Sequence, residues 1–241
     1  MPETYVFDMD GVLLQSNGLK ARAFYRAALR YGEAAAEWLV EFHRRAGSIS
    51  REDRVRALFD QHLLREPELG ECAVLLQEIA AELEEGYRTV PLLPGVERFL
   101  ADTPGPKVVV SGVEQNELES ILHDRGLAPQ FEYIHGGNKH ELFPRLLEVG
   151  AIRLPAVYFG DTEDDQRAAT AAGLDFVLVL HDSEWADPPA DIASIRDFHD
   201  LLAAPSAEPS LRARVGRDGY AVVQGERRYV GRSLAGAEVT F

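Results

Sequence analysis

The sequence predicts an α/β protein whose core is a parallel β-sheet covered on both faces, with an all-helical block inserted after the first strand. Three observations carry this. From residue 91 onward, short apolar runs alternate with helical patterns, and near-continuous apolar strands of this kind belong to sheets buried on both sides. A similar run, Thr4-Tyr5-Val6-Phe7, opens the chain and stops at Asp8-Met9-Asp10-Gly11. Between the two, about seventy residues keep helical spacing without a strand-like run.

In the inserted block, Leu19, Ala23 and Ala27, with Phe24, Ala28 and Tyr31, recur at near-helical spacing, and Gly32 is a natural stop. A second helix is expected over Ala34 to Ala46, with Trp38, Leu39 and Phe42 on one face. Gly47-Ser48-Ile49-Ser50 breaks it. Ser50, with Asp53 three residues on, reads as the N-cap of a third helix through Val55, Leu58 and Phe59. A fourth is expected from about Glu68 to Tyr87, with Leu75, Ile79, Ala80 and Leu83 inward. Pro91-Leu92-Leu93-Pro94-Gly95 leads back, and a short helix follows over Val96 to Asp102.

Strands are then expected at Lys107 to Ser111, Phe131 to His135, Ala156 to Asp161 and Phe176 to Leu180. Helices between them cover Glu117 to Asp124, the stretch through Leu142, Leu146 and Leu147, and Asp165 to Ala172, closed by Gly173. The chain thus divides into a core of residues 1–15 and 91–204, a helical insert of 16–90 and a C-terminal extension of 205–241. In the extension, Pro205 to Ser210 reads as a linker. Tyr220 to Val223 and Arg227 to Val230 read as a hairpin around Gln224-Gly225-Glu226. A lone hairpin is marginal in water, so it is expected to pack on this chain or on a second copy, as a homo-oligomer contact.

Composition narrows the function. The 241 residues are 46% hydrophobic and 27% charged, as in an ordinary globular protein. A net charge of −15 argues against nucleic acid or an anionic membrane as partner, since both reward basic surfaces. Cys72 is the only cysteine, so no disulfide framework or thiolate metal cluster is available. Acids interrupt the N-terminal apolar stretch at once, unlike a signal peptide, and the expected location is cytoplasmic. The charge is uneven: Gly18 to Ala57 holds nine Lys/Arg against five Asp/Glu, whereas Leu58 to Val90 holds two against eight.

Chemistry-bearing residues gather at strand ends. Asp8 and Asp10, one residue apart where the first strand stops, point the same way by strand periodicity, and Gly11 lets the chain turn. Ser111 ends the second strand, Lys139 follows Gly136-Gly137-Asn138, and Asp161 and Asp165 follow the strand at Ala156. A parallel sheet brings these ends to one edge, where ligands bind. Separate carboxylates collected there call for a hard cation, and oxygen-only ligands suit Mg²⁺. A serine and a lysine beside that cation suit a phosphoryl group.

These motifs resemble those of the haloacid dehalogenase-like hydrolase superfamily, in the branch with a helical cap after the first motif. The likeness rests on Phe7-Asp8-Met9-Asp10-Gly11-Val12-Leu13, on Val108-Val109-Val110-Ser111-Gly112, on Lys139, and on Gly160-Asp161-Thr162-Glu163-Asp164-Asp165. Pro94-Gly95-Val96 resembles the family's return from cap to core, and the likeness spans residues 1–203. Gln15-Ser16-Asn17 departs from the commoner acidic pattern after the first motif.

The resemblance implies a Rossmann-like core and a phosphatase that works through an aspartyl-phosphate. Asp8 would be the nucleophile and Asp10 the proton donor and acceptor. Mg²⁺ would be held by Asp8, the Asp10 backbone carbonyl and Asp161, with Asp165 as ligand or as support. Ser111, the Gly112 amide and Lys139 would hold the phosphoryl oxygens. Asp10 argues against a dehalogenase. Lys20, the one lysine of the insert, lies so near the first motif that a Schiff-base phosphonate hydrolase is set aside. Substrate choice is expected in the insert, at Arg45, Ser48, Ser50 and Arg51, and suits a small sugar or polyol phosphate. A phosphomutase and a non-catalytic binding protein on the same fold are the alternatives.

Overall fold

The computed structural model describes residues 2–46 and 49–202, and the backbone of four short strands in the C-terminal stretch. Six parallel strands form the main sheet: β1 (Thr4–Phe7), β2 (Lys107–Ser111), β3 (Tyr133–Gly136), β4 (Ala156–Gly160), β5 (Asp175–Val179) and β6 (Ser194–Ile195). Their order is β3-β2-β1-β4-β5-β6. The chain builds outward from β1 on one side, then crosses back to β4 and builds outward on the other. The reversal lies between β1 and β4, where an open parallel sheet leaves a crevice at its carboxyl edge.

Strand periodicity explains the two apolar layers. Phe7, Val109 and Phe159 face one side, with Phe99, Leu100, Leu118, Leu122 and Phe198. Val6, Val108, Val110 and Tyr158 face the other, with Phe143, Leu146, Ala168 and Ala169. Phe7 is the hub of the first layer. Its ring stacks on Phe159 at 5.2 Å between centroids and meets Phe99, Phe131 and Phe198 at 5.9–6.2 Å. Helices α5 (Val96–Asp102) and α6 (Gln115–Asp124) cover that face; α7 (Lys139–Glu148) and α8 (Glu163–Ala172) cover the other.

Between β1 and β2 the chain forms α1 (Asn17–Ala28), α2 (Glu33–Arg45), α3 (Arg51–Ala57) and α4 (Glu71–Tyr87), with a π-helical turn over Leu58–Leu63. Leu39, Val55, Leu58, Phe59, Leu75, Ile79 and Leu83 are buried among these helices. Two expectations are corrected here. Ala80 is exposed, because α4 is rotated so that Leu75, Ile79, Leu83, Gly86 and Tyr87 face inward. Trp38 and Phe42 are half-buried and stack on each other at 5.0 Å, leaving Ala35, Ala36 and Leu39 as the buried face of α2.

The two legs joining insert and core are tied together. Leu93 donates its backbone amide to Leu13 at 2.9 Å, and Gln15 donates its own to Pro91 at 2.9 Å. The Gln15 side-chain amide also donates to the Leu92 carbonyl at 2.9 Å.

In the C-terminal stretch, β8 (Tyr220–Val223) and β9 (Glu226–Tyr229) pair antiparallel with Val223 opposite Glu226, as the sequence suggests except that Glu226, expected in the loop, opens the second strand. A second antiparallel pair, β7 (Arg212–Arg214) with β10 (Glu238–Thr240), has no counterpart in the sequence reading. The expected linker at Pro205 to Ser210 and the loop residues Gln224 and Gly225 lie outside the described residues. Among the described residues, no helix is long and apolar enough to cross a membrane.

Candidate active site

The site starts where β1 runs out. Asp8 still belongs to the ladder, its amide donating to Phe159 of β4 at 2.9 Å. The next residues curl into a tight turn, with the Leu13 and Leu14 amides both directed to the Met9 carbonyl at 2.9 and 3.0 Å. Gly11 sits in that turn at φ +71°, and a Cβ there would overlap the Asp161 carboxylate and the Asn17 amide. Glycine is therefore required twice over, for the backbone and for the close approach of β1's turn to β4's acid.

Asp8, Asp161 and Asp165 are all buried, and each places a carboxylate oxygen within 4.8 Å of the other two. Lys139 enters from the first turn of α7. Its ammonium donates to Asp8 Oδ2 at 2.6 Å and to Asp165 Oδ1 at 2.5 Å. Asp165 is held from every side. Thr162 caps α8 and donates its hydroxyl to Asp165 Oδ2 at 2.6 Å, the amides of Asp161 and Thr162 reach the same oxygen, and Tyr158 donates to Oδ1 at 2.7 Å.

The charges follow from these contacts. Burial would raise the Asp165 carboxyl, but Lys139 and the surrounding hydrogen bonds hold it below the usual carboxylate range. Asp8 is pushed up to about 6 by burial, with Lys139 pulling it down and Asp165 and Asp10 adding to the rise. Asp161 goes well up through burial and the neighbouring charges of Asp165 and Asp8. Three clustered carboxylates facing one ammonium leave surplus negative charge in a buried place. An all-oxygen donor set with that surplus fits a hard divalent cation such as Mg²⁺.

Asp10 turns its carboxylate elsewhere. Ser16 and Tyr87 donate their hydroxyls to Oδ1 at 2.6 and 2.8 Å, and the Lys20 ammonium lies 2.6 Å from Oδ2. Burial would raise this carboxyl too, but Lys20 and the two hydroxyls hold it low. Asn17, next in the chain, donates its side-chain amide to Asp161 Oδ2 at 2.6 Å and to the Asp182 carbonyl at 2.7 Å. The departure Gln15-Ser16-Asn17 thus has a purpose at each residue: Gln15 joins the two legs, Ser16 holds Asp10, and Asn17 holds Asp161.

A cavity of about 690 Å³ opens above these groups, between core and insert. Asp8, Asp10, Ser111, Gly112, Lys139 and Asp161 line its floor, so those predicted residues come together; Asp165 lies beneath, behind Lys139. Arg45, Ser50 and Arg51 line it from the insert, whereas Ser48 lies outside the described residues. Two of these insert groups are already engaged. The Ser50 hydroxyl exchanges hydrogen bonds with Asp53 at the start of α3, and Arg51 Nη2 donates to both oxygens of Glu117 on α6 at 3.0 Å. Arg44 makes a similar crossing to Glu184 at 3.0 Å.

Sequence reasoning missed the roles of Lys20, Tyr87 and Asn17, whereas it expected the loop from His43 to Arg51 to face the site. Ser16 and Lys20 carried a signal, since residues four apart at a helix start share a face. His43 also lines the cavity, its ring 4.6 Å from that of Phe24. Burial, with Arg54 and Lys20 nearby, lowers it to about 3, so it is a neutral imidazole near neutral pH.

Comparison with known proteins bears on the family and the fold. The family model for haloacid dehalogenase-like hydrolases matches residues 2–173. Among solved structures, a predicted phosphoglycolate phosphatase from Haemophilus somnus 129PT is similar with a TM-score of 0.67 and 20% identity, over 83% of this chain and 96% of that one. CbbY from Rhodobacter sphaeroides in complex with phosphate is similar at 0.65 and 20%, with the same coverage. A mutant of CbbY in complex with xylulose-1,5-bisphosphate gives 0.65 and 18%, again over 83% and 96%. No curated protein sequence matches the chain. The family match spans well over half of the 241 residues, and the chain belongs to the haloacid dehalogenase-like hydrolases.

Proposed function

We propose that this protein is a Mg²⁺-dependent phosphomonoester hydrolase that acts through an aspartyl-phosphate on a small sugar or polyol phosphate. One observation carries the reading: Asp8, at the reversal of strand order, meets Lys139 and two further buried carboxylates on the floor of a cavity roofed by basic residues.

In this reading Asp8, Asp161 and Asp165, with the Asp10 backbone carbonyl, would hold the cation. Bound there, Mg²⁺ would screen the negative charge of nucleophile and phosphate from each other and stabilise the charge of the transition state. Asp8 attacks phosphorus in line, and splitting the displacement into two steps gives each a better nucleophile or leaving group. Asp10 gives a proton to the departing alcohol and later takes one from the hydrolytic water, help typically worth ~10²–10⁴-fold. Ser111, the Gly112 amide and Lys139 hold the phosphoryl oxygens in place. The roof supplies selectivity: Arg45 suits an anionic or hydroxyl-rich substrate, and His43 is an uncharged polar group at the same cavity. The cavity volume suits a small molecule.

The test is phosphate release from a panel of sugar, polyol and small-acid phosphates, with Mg²⁺ or with EDTA, beside Asp8→Asn. Release that needs Mg²⁺ and falls by at least ~10³-fold in Asp8→Asn supports the reading. An isomerised product in place of free phosphate favours the phosphomutase. Folded, Mg²⁺-binding protein that yields neither product sinks the enzyme reading.

A further inference from the structure

Resting on the reading of Asp10 as the proton-transfer residue, we infer that Tyr87 is its positioning residue and ties that carboxylate to the returning leg of the helical insert. Tyr87 closes α4 and is 2% exposed, yet its hydroxyl is not a spectator, donating to Asp10 Oδ1 at 2.8 Å across 77 positions of chain. Ser16, fully buried on the outgoing leg, donates to the same oxygen at 2.6 Å. Neither lines the cavity, whereas Lys20, beside Oδ2 at 2.6 Å, does. Two donors therefore fix Oδ1 toward the protein interior and leave Oδ2 as the oxygen on the cavity side.

The residue that does this is itself pinned through its backbone. Arg125, at the end of α6, donates to the Tyr87 carbonyl at 2.8 Å and to the Val90 carbonyl at 2.7 Å, fixing the last turn of α4 to the core. One residue earlier, a Cβ on Gly86 would overlap the Leu19 side chain, so α4 passes α1 closely at that glycine. That approach brings Tyr87 to the acid whose other partners sit on α1 and its N-cap. Both legs of the insert thus end on one carboxylate, and a shift of either leg moves it.

The chemistry makes the assignment testable. In the first step an Asp8 oxygen bonds to phosphorus, the ester P–O bond breaks, and its electron pair leaves on the ester oxygen, which takes a proton from Asp10; because Asp10 is held ionised in the free site, that proton arrives with the monoanionic substrate or from solvent. An alkoxide leaving group needs that proton, but a nitrophenolate carries its charge largely unaided. Mispositioning Asp10 therefore hurts alkyl esters more than aryl esters, whereas general damage to the site hurts both alike.

The experiment compares kcat/KM for glycerol phosphate and p-nitrophenyl phosphate in wild type, Tyr87→Phe and Asp10→Asn, with Ser16→Ala as a second variant that removes the other donor to the same oxygen. The expected result is a fall of about 10-fold or more in the alkyl-to-aryl ratio for Tyr87→Phe, in the direction of Asp10→Asn, with a smaller fall of the same sign for Ser16→Ala. Equal losses on both esters, or no loss on either, overturn the role of Tyr87 while leaving the phosphatase reading in place. A folded wild-type protein inert toward both esters overturns that reading, and this inference with it.

Discussion

Replacing Lys139 with methionine preserves side-chain length and removes the ammonium that sits between Asp8 and Asp165 at 2.6 and 2.5 Å. All three groups are buried. At an effective dielectric near 20, one such contact attracts by about 6 kcal/mol, but most of that offsets the desolvation of the ions. What the substitution exposes is the remainder: carboxylates left buried without their counter-charge, which costs about 3–5 kcal/mol. That is a large share of the ~5–15 kcal/mol that holds a domain together. Urea unfolding in EDTA at about pH 7.5 reads it directly, as a lower midpoint at constant slope. The pH dependence fixes the cause. Asp8 is already raised to about 6 with Lys139 pulling it down, so losing Lys139 raises it further, while its unfolded value stays near ~3.9. A carboxyl raised on folding leaves stability untouched below its unfolded value and weakens it as pH rises through its folded one. The gap between wild type and variant is therefore widest above neutral pH and closes toward about pH 4, and Mg²⁺ narrows it at neutral pH by replacing positive charge. A gap below about 1 kcal/mol in EDTA, or one constant from about pH 5 to 8, would refute the reasoning.

Two further outcomes follow from the geometry. Gly11→Ala meets both a left-handed backbone, worth about 1–2 kcal/mol, and an overlap with the Asp161 carboxylate; phosphatase turnover should drop by at least ~10-fold and the melting temperature should fall, and an unaltered kcat/KM would contradict the close approach described above. The Arg51–Glu117 pair bridges insert and core with both side chains about a quarter exposed. A double-mutant cycle on urea stability with Arg51→Ala and Glu117→Ala should give a coupling below about 1 kcal/mol that weakens in high salt, and a coupling well above that would mean the crossing is a structural rivet.

The groups at the strand ends were legible because chain order and a parallel sheet suffice to bring them together. Once β1, β2 and β4 are parallel, Asp8, Asp10, Ser111 and Asp161 must share an edge, and the start of α7 delivers Lys139 to it. What was not legible depends on side chains from distant elements choosing the same partner. Tyr87 reads as one more apolar position of an amphipathic helix, because nothing in α4 announces an acid 77 residues away. Asn17 reads as the beginning of a helix, although its side chain serves Asp161. Ser50 was read both as an N-cap and as a specificity residue, and its hydroxyl is engaged in the first of these. Ala80 was misplaced because a small side chain leaves the rotation of a helix undecided, whereas Tyr87 and Leu83 decide it. The two-residue β6 has too few positions to show any period.

The uneven charge of the chain gains its meaning from this arrangement. Of the nine basic residues between Gly18 and Ala57, Lys20, Arg44, Arg45, Arg51 and Arg54 line the cavity, whereas Arg22, Arg26 and Arg30 pair with Glu82 and Glu78 of α4; in the proposed reading an acidic protein thus presents cations where an anionic substrate would sit. Part of that charge is answered by the core itself, through Arg44 to Glu184 and Arg51 to Glu117. Partly exposed pairs of this kind hold weakly, about 0–1 kcal/mol each, whereas the legs are joined by two backbone bonds, Leu93 to Leu13 and Gln15 to Pro91, around the isolated bridge of Leu14 with Leu92. The insert is thus firmly joined at one end and lightly fastened at the cavity. In the proposed reading an anion under the roof would compete with Glu117 for Arg51, and the joined end is where Ser16, Lys20 and Tyr87 hold Asp10. In the proposed reading, substrate selection and proton transfer are served by opposite ends of one helical block, and a residue far from the active-site motifs in sequence acts through the leg that carries it.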